Sequence, residues 1–240
     1  MTQLAIPSKT LDDVVLQCVD LNAGYGDELI VTDFSLSCNA GQVVGIVGPN
    51  GSGKSTLVKR LAGVLPSRGG SLMLSGVDAS NFGSGRFARM GLRYVPQIRD
   101  VFPSLNVKEN LIIGMDGSER LDQVLETLPE LGHLLRRKAG RLSGGERKLL
   151  AIGRALMVRK LEILLVDEPS AGLSPKAAEK MWPILANIAK AGTAVLIVEQ
   201  NVDALLNIAS HVYVLVNGRN RIDASSDEIR RTDLGALFLE

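Results

Sequence analysis

The chain has little of several kinds of residue, and each shortage excludes a class of protein. Among its 240 residues only 2 are cysteine and 2 are histidine, and aromatic residues make up 4%. Cys18 and Cys38 lie in strand-like surroundings, which favours core filling over a redox or metal site in a reducing compartment. The 27 Lys and Arg residues nearly balance the 26 Asp and Glu residues, leaving a net charge of +1. This balance excludes a general electrostatic attraction to nucleic acid or anionic lipid, although a local basic patch stays open.

Long apolar runs are missing as well. The longest, such as those within 162–166 and at 194–198, fall far short of the roughly 20 residues that span a bilayer. The first residues, Met1–Pro7, lack a basic stretch followed by an apolar one, so we expect no export signal. The sequence also lacks internal repeats, low-complexity segments and long linkers. We therefore expect a single domain over residues 1–240 that stays in the cytosol.

A phosphate-binding loop is what the sequence does contain. The pattern G-x-x-x-x-G-K-[ST] follows the apolar run Val43–Val47 and consists of Gly48, Pro49, Asn50, Gly51, Ser52, Gly53, Lys54, Ser55 and Thr56. The run ahead of it predicts a strand buried on both faces, and Leu57, Leu61 and Val64 behind it recur at helical spacing. Strand, glycine-rich turn and helix thus follow in the order that nucleotide binding requires.

The composition of this loop fits a triphosphate. Gly51 and Gly53 allow successive backbone N–H groups to curl around phosphates, and the N-terminus of the following helix adds a partial positive charge. Lys54 places a full positive charge on the outer phosphates, and the Ser55 hydroxyl can ligate Mg²⁺. The alternative, a glycine-rich turn with a lysine by chance, does not explain the strand and helix on either side. Tyr25 upstream could stack on an adenine base or pack as an ordinary aromatic, and spacing alone leaves the two interpretations equal.

Two adjacent carboxylates form a second motif. Asp167 and Glu168 directly follow the apolar run Ile163–Val166. At the carboxyl end of a strand beside a triphosphate site, Asp167 can support Mg²⁺ while Glu168 orients or deprotonates the attacking water. Solvated acids at the end of a strand are the alternative, and the phosphate loop in the same chain argues against it.

A pair of glycines marks a third motif. Ser143 and Glu146 have the spacing of a helix capping box, which explains those two residues but not Gly144 and Gly145 between them. Paired glycines expose the backbone at a helix N-terminus and so make a second anion site. One ATP does not need two separate cradles in one subunit. A second chain could therefore use this one.

The rest of the pattern predicts an α/β fold. Alternating residues at 14–36, broken at 22–27, predict antiparallel strands joined by a turn, and further strands are predicted at 71–76 and 92–97. Helical patterns dominate from 106 to 156, and strands and helices alternate beyond it. These later elements are predicted as strands at 162–166, 194–198 and 212–216 and as helices at 175–191 and 202–209.

Together the motifs resemble the ATP-binding cassette of ABC transporters over nearly the whole chain. In chain order they are 48–56, Gln97, the Leu-Ser-Gly-Gly-Glu signature at 142–146, the run 163–168, and a polar switch residue at Gln200. The resemblance implies an α/β P-loop NTPase fold of the ABC type, with ATP and Mg²⁺ as cofactors. A β flap and mixed-sheet core would then be formed by residues 12–98 and 160–240, and a helical signature subdomain by residues 99–159.

Roles for individual residues follow from the same resemblance. Tyr25 matches the aromatic that stacks on adenine, and Gln97 matches the glutamine that touches Mg²⁺ or the attacking water and borders the membrane-subunit contact. Ser143, Gly144 and Gly145 match the signature that closes on the ATP of the opposite subunit. The implied working unit is a head-to-tail dimer of ATPase subunits that sandwiches two ATPs. Its further partners would be permease subunits, at the inner face of the cell membrane, with no nucleic acid involved.

Two positions depart from the commonest family pattern. Ser174 stands where the family usually has aspartate, and Gln200 replaces the switch histidine. Glutamine can hydrogen-bond a γ-phosphate but cannot carry an imidazolium charge or relay a proton. Neither His133 nor His211 can substitute by motif position. If Glu168 is the base, hydrolysis survives this change, whereas a histidine-dependent mechanism would make the chain a weak or regulatory cassette.

The same departures resemble one branch of the family. The stretches at 101–111, 198–201, 212–219 and 237–239 are similar to an ATPase subunit of branched-chain, or hydrophobic, amino acid importers. Close relatives in that branch serve urea and short amides, which are the alternative substrates. A soluble ABC protein acting on DNA or ribosomes is a further hypothesis. Such relatives usually carry two cassettes or a long insert, and this chain has neither.

Overall fold

Two β-sheets organise the fold. A computed structural model of the protein describes residues 13–98, 100–113 and 121–238. The stretch Met1–Pro7, where no export signal is expected, and Leu239 of the tail motif lie outside the described residues. The strands are β1 (Val14–Tyr25), β2 (Glu28–Asn39), β3 (Val43–Val47), β4 (Ser71–Leu74), β5 (Val77–Asp78), β6 (Leu92–Val95), β7 (Ile163–Asp167), β8 (Ala194–Glu199), β9 (His211–Val216) and β10 (Arg219–Ser225).

Helices cover the sheets and form a separate cluster in the middle of the chain. They are α1 (Lys54–Leu61), α2 (Ser84–Arg89), α3 (Val107–Ile113), α4 (Leu121–Thr127), α5 (Gly144–Leu156), α6 (Pro175–Lys190), α7 (Val202–Leu206), α8 (Ser226–Ile229) and α9 (Leu234–Leu237). Two short 3₁₀ helices, Pro129–Leu134 and Ala139–Arg141, lie between α4 and α5. Over the described residues, no helix combines the length and the apolar character that crossing a bilayer demands.

The larger sheet places the chemistry. Its strand order is β10-β9-β3-β8-β7-β6; the five strands from β9 to β6 run parallel to one another, and β10 pairs antiparallel with β9. Strands β3, β7 and β8 are buried along their whole length. Val47 pairs with Glu199 and Asp167 pairs with Val198, so the carboxyl ends of these three strands meet at one edge. Ligands of open parallel sheets bind at this edge.

The smaller sheet is antiparallel and is the predicted β-rich flap. Its order is β2-β1-β4-β5. Both cysteines lie in it and fill the core as predicted, with Cys18 1% and Cys38 0% exposed. Burial raises the pKa of the Cys18 thiol to about 12, which keeps it protonated and unreactive at neutral pH.

The predicted helical insert is present, and α5 is its central element. Buried Leu111, Leu128 and Leu131 crowd Gly153 of α5 so closely that an added Cβ would lie 2.9 Å from the Leu131 side chain. One buried apolar cluster joins these helices to the face of the larger sheet that carries Leu164 and Val166. The division into residues 12–98 with 160–240 and residues 99–159 stays a prediction.

Several details of the sequence-based prediction were wrong. The strands predicted at 71–76 and 92–97 end at Leu74 and Val95, before a turn and before Pro96. The break expected at 22–27 is only a turn at residues 26–27, because bulges in β1 keep this polar, glycine-containing stretch paired with β2. Val64 lies outside α1 and is 53% exposed, since the helix ends before Gly63 in the left-handed conformation. Helix α7 ends at Leu206 rather than at 209. Strand β10 was missed because its polar, half-exposed residues pair with β9 at the sheet edge.

Candidate functional site

The phosphate loop connects β3 to α1 and leaves backbone amides open. Gly51 and Gly53 have φ angles of +79° and +101°, in the left-handed region that glycine adopts without strain. Gly53 caps α1 without a side-chain hydrogen bond, and the first helical bond runs from the Leu57 amide to the Gly53 carbonyl. The amides of the first turn are therefore free of helical partners, and they carry the positive end of the helix dipole. This arrangement suits an anion.

Lys54 extends back along the loop from the start of α1. Its Nζ donates to the carbonyl oxygens of Gly48 and Pro49, at 2.8 Å each, and the residue is 5% exposed. Burial lowers the pKa of Lys54, while the negative charges of Glu168, Asp167 and Glu199 oppose that shift. An ammonium has three donors, so one remains for a phosphate oxygen after the two carbonyl bonds. The loop thus orients its own lysine.

Oxygen donors suited to Mg²⁺ meet at the carboxyl end of β7. The Ser55 hydroxyl donates to Asp167 Oδ1 at 3.4 Å, and the Tyr94 hydroxyl donates to Asp167 Oδ2 at 3.2 Å. Asp167 is buried, and burial raises the pKa of its carboxyl, while the hydrogen bond from Tyr94 acts in the opposite direction. One carboxylate and one hydroxyl beside the phosphate loop fit Mg²⁺, which prefers few protein ligands and keeps phosphate and water oxygens. These donors could hold the ion.

Glu168 lies where two predicted partners converge. Gln97 Nε2 donates to Glu168 Oε2 at 2.5 Å, and Gln200 Nε2 donates to Glu168 Oε1 at 2.7 Å. The Glu168 backbone has a φ of +45°, a left-handed conformation that is strained for a residue with a side chain. Its amide donates to the Val198 carbonyl at 2.8 Å, which holds the residue in place. The structure therefore brings Gln97, Glu168 and Gln200 into one hydrogen-bonded group.

These residues share one cavity with the phosphate loop. Its volume is about 310 Å³, and it is lined by Ile30, Asn50, Gly51, Gly53, Lys54, Ser55, Thr56, Gln97, Glu168 and Gln200. Neither His133 nor His211 lines it. His133 lies in the Pro129–Leu134 helix, and His211 Nε2 lies within hydrogen-bonding distance of Asp223 Oδ1 across strands β9 and β10. The histidines therefore contact other parts of the chain, as their motif positions predict.

Three residues of the site were missed by the sequence-based prediction. Ile30 lines the cavity, Tyr94 bonds Asp167, and Glu199 organises the neighbouring loops. Glu199 is 2% exposed and accepts hydrogen bonds from the amides of Ser170, Gln200 and Asn201, at 2.9, 2.7 and 3.1 Å. The sequence did contain a signal for Glu199. It is a carboxylate at the end of a buried strand, directly before the switch residue.

Tyr25 lies at the end of β1 and does not line this cavity. Its side chain is exposed at 47%, so it does not pack as a core aromatic. Lys59 of α1 donates from Nζ to the Tyr25 hydroxyl at 3.4 Å, which places the ring beside the phosphate-loop helix. Stacking on adenine stays a prediction.

We expect Tyr25→Ala to weaken ATP binding about 3- to 10-fold, because an aromatic stacking contact contributes roughly 0.7 to 1.4 kcal/mol. Tyr25→Phe is the matched control, since it keeps the ring and removes only the hydroxyl. Calorimetric titration with ATP measures both variants. An alanine variant that binds ATP as tightly as the wild type would rule out the stacking role.

The signature residues lie apart from the phosphate-loop cavity, at the start of α5. The Ser143 hydroxyl accepts from the Glu146 amide, and Glu146 Oε2 accepts from the Ser143 amide, which completes the predicted capping box. Hydrogen bonds from the Ser143 backbone lower the pKa of Glu146. Within the described part of the chain, the amides of Gly144 and Gly145 have no backbone partner. The capping box therefore leaves these two amides available to an anion from outside the subunit.

Ser174, where the family usually has aspartate, has a structural role. It caps α6 by accepting a hydrogen bond from the Ala177 amide at 3.4 Å. Aspartate and serine are both favoured at this helix position. The departure therefore preserves the cap while removing a charge.

The chain is similar in sequence to ABC transporter proteins. The sequence profile described as ABC transporter matches residues 31–171, more than half of the chain. Over 222 residues this chain is 38% identical to the probable branched-chain amino acid transport ATP-binding protein LivF of Archaeoglobus fulgidus. The match covers 90% of this chain and 94% of that relative. Over 201 residues the chain is 39% identical to the high-affinity branched-chain amino acid transport ATP-binding protein BraG of Pseudomonas aeruginosa, covering 81% and 86%.

A solved structure shares the fold. The ADP conformation of MJ1267, an ATP-binding cassette of an ABC transporter, superimposes with a TM-score of 0.82 at 31% identity. The match covers 91% of this chain and 94% of that chain. The two-sheet architecture with its helical insert is therefore that of an ATP-binding cassette.

Proposed function

Because the chain belongs to the ABC transporter family, whose ATP-binding subunits hydrolyse ATP, we propose that it powers an importer of branched-chain or other hydrophobic amino acids. One observation carries this proposal: LivF and BraG, at 38% and 39% identity, are both named for branched-chain amino acid transport. Urea and short amides are the alternative substrates. The chain would work at the inner face of the cell membrane, bound to permease subunits.

In the proposed mechanism Glu168 acts on the attacking water. Its carboxylate, held between the amide groups of Gln97 and Gln200, accepts the proton as the water attacks the γ-phosphorus, and the bond from that phosphorus to the β–γ bridging oxygen breaks to leave ADP and inorganic phosphate. Lys54 and the amides of the loop bind the β- and γ-phosphates and balance the charge that develops there. Mg²⁺, held by Ser55 and Asp167, would supply further charge neutralisation at the phosphates. Gln97 could contact either the ion or the water.

The switch glutamine supports hydrolysis rather than a purely regulatory role. Gln200 bonds Glu168 at 2.7 Å and would meet the γ-phosphate from the same cavity. It can therefore orient the base without titrating. A regulatory cassette, which binds ATP and lends only its signature to a partner, needs no intact base. Steady-state ATP hydrolysis by the purified protein separates the two hypotheses, and we expect turnover without a second type of cassette.

The working unit we propose is a head-to-tail dimer. The phosphate loop and the Ser143–Gly145 signature line different cavities, and each has amides without a partner inside the helix it begins. A second subunit, identical or different, would place its signature over the nucleotide on this loop. Closure of the two subunits around ATP would then drive the permease, and hydrolysis would release them.

We expect the chain to co-purify with a membrane permease after mild detergent extraction, and vesicles containing the complex to take up leucine only with ATP. Uptake assays with leucine, urea and acetamide as competing solutes test the substrate class. Strong inhibition by urea with none by leucine would replace the amino acid assignment. Recovery of the chain with ribosomes instead of membranes would contradict the transport function.

A further inference from the structure

A buried lysine on the signature helix has no part in the mechanism described so far. Lys148 lies early in α5, and its side chain is only 4% exposed. Its Nζ donates to the carbonyl oxygens of Pro96 at 3.0 Å and Gln97 at 3.1 Å, and it lies 3.2 Å from Asp100 Oδ2. An ammonium has three N–H donors. All three N–H groups of Lys148 are therefore matched by acceptors on the segment that carries Gln97. This Gln97 segment comprises residues 96–98 and 100–102.

A second cation on the same helix holds this segment further along. Arg154 Nη1 donates to the Asp100 carbonyl oxygen at 2.5 Å. The Arg154 guanidinium also lies over the Phe102 ring, 4.7 Å from its centre. Helix α5 thus holds the Gln97 segment at three backbone carbonyls, one carboxylate and one aromatic ring.

Gln97 is consequently fixed at both of its ends. Its backbone carbonyl accepts from Lys148, and its side chain donates to Glu168 at 2.5 Å. Helix α5 begins at the signature glycines, whose amides are open to an anion outside the subunit. A continuous set of contacts therefore runs from Gly144 along α5 to Lys148, then to Gln97, and ends at Glu168.

We propose that Lys148 is a positioning residue that ties the Gln97 side chain to the signature helix. When the helix closes on the partner's nucleotide, Lys148 carries that movement to Gln97 and so to the base of its own site. This inference rests on the proposed function, in which Ser143–Gly145 cover the partner's ATP and Glu168 is the base. Lys148 would then be a contact through which one nucleotide site of the dimer senses the other.

The chemistry of the contact favours this role over simple packing. Burying an ammonium costs free energy, and a well-packed apolar side chain often replaces a buried ion pair without loss of stability. An apolar side chain could fill the same space between α5 and the Gln97 segment. It could not hold two carbonyl oxygens at fixed positions.

A double-mutant cycle between Lys148 and Gln97 tests the inference. Lys148→Met removes the ammonium and keeps a side chain of similar length, and Gln97→Ala removes the group through which Lys148 is proposed to act. We expect Lys148→Met to lower kcat for ATP hydrolysis at least tenfold with KM changed less than twofold. In the Gln97→Ala background, the same substitution should lower kcat no further, because coupled residues are not additive. Lys190→Met makes the same change on an exposed lysine of α6 and should leave kcat unchanged.

The outcomes separate the inference from the proposed function. An equal fall in kcat in both backgrounds would show a structural effect of Lys148 and overturn the inference, while the base role of Glu168 would stand. A wild-type protein that hydrolyses no ATP would instead overturn the proposed function. If Lys148→Met does not fold because Asp100 has lost its partner, the variant that combines Lys148→Met with Asp100→Asn removes both charges. This combined variant then takes the place of Lys148→Met in the cycle with Gln97→Ala. A folded Lys148→Met and Asp100→Asn variant with the kcat of the wild type would overturn the inference as well.

Discussion

Replacing Glu168 by glutamine should lower ATP turnover about 100- to 10,000-fold, the range that a general base contributes. The substitution keeps the size of the side chain and an oxygen that can accept one of the two amide hydrogen bonds. It removes the negative charge and with it the ability to take a proton, and it leaves one of the two amide donors of Gln97 and Gln200 without an acceptor. Because the phosphate loop is untouched, ATP should still bind, and ATP-trapped dimers should accumulate.

Steady-state phosphate release and size-exclusion chromatography with ATP measure the two effects. Glu126→Gln, on the exposed side of α4, is the matched control and should hydrolyse ATP at the wild-type rate. Hydrolysis at the wild-type rate by the Glu168 variant would show that another group is the base.

Replacing Lys54 by alanine should weaken ATP binding about 10- to 150-fold, which corresponds to the roughly 1.5 to 3 kcal/mol of a charge-assisted hydrogen bond. The lysine also bonds the Gly48 and Pro49 carbonyls, so part of the loss could come from a disordered loop. AMP distinguishes these causes, since it lacks the outer phosphates that Lys54 is proposed to bind.

The measurement is a pair of titrations, with ATP and with AMP. We expect the Lys54 variant to lose far more affinity for ATP than for AMP. Equal losses for both nucleotides would assign the effect to the loop's structure, and unchanged ATP affinity would contradict the role of Lys54. Lys190→Ala, on the exposed end of α6, is the control for loss of a positive charge.

Much of the site could be predicted because its parts are local in the sequence. The phosphate loop is one continuous stretch, and the Asp167–Glu168 pair follows a buried strand. Gln97 was assigned to the same site through its resemblance to the family's glutamine, and it follows β6, whose carboxyl end lies at the same edge of the sheet as that of β7. The structure places all of these residues together.

Contacts that depend on tertiary packing could not be predicted in the same way. Tyr94 reaches Asp167 because β6 and β7 pair in register, with Tyr94 opposite Leu165. Lys148 reaches Gln97 because α5 packs on β6, and a lysine in a helix is usually exposed. The length of β1 was underestimated for a related reason, since its bulges are stabilised by pairing with β2 rather than by local preference.

Mixing two inactive variants tests the shared nucleotide site, which is the central claim. Lys54→Ala weakens ATP binding, so the assay uses an ATP concentration that fills the wild-type loop and leaves this one largely empty. Ser143→Asp keeps a good helix cap but places a negative charge where the signature would meet the partner's phosphates. In a mixed dimer one composite site retains an intact loop and an intact signature, so an equal mixture should recover about a quarter of wild-type ATP hydrolysis if subunits pair at random. A mixture no more active than either variant alone would contradict the claim that each site is built from two subunits.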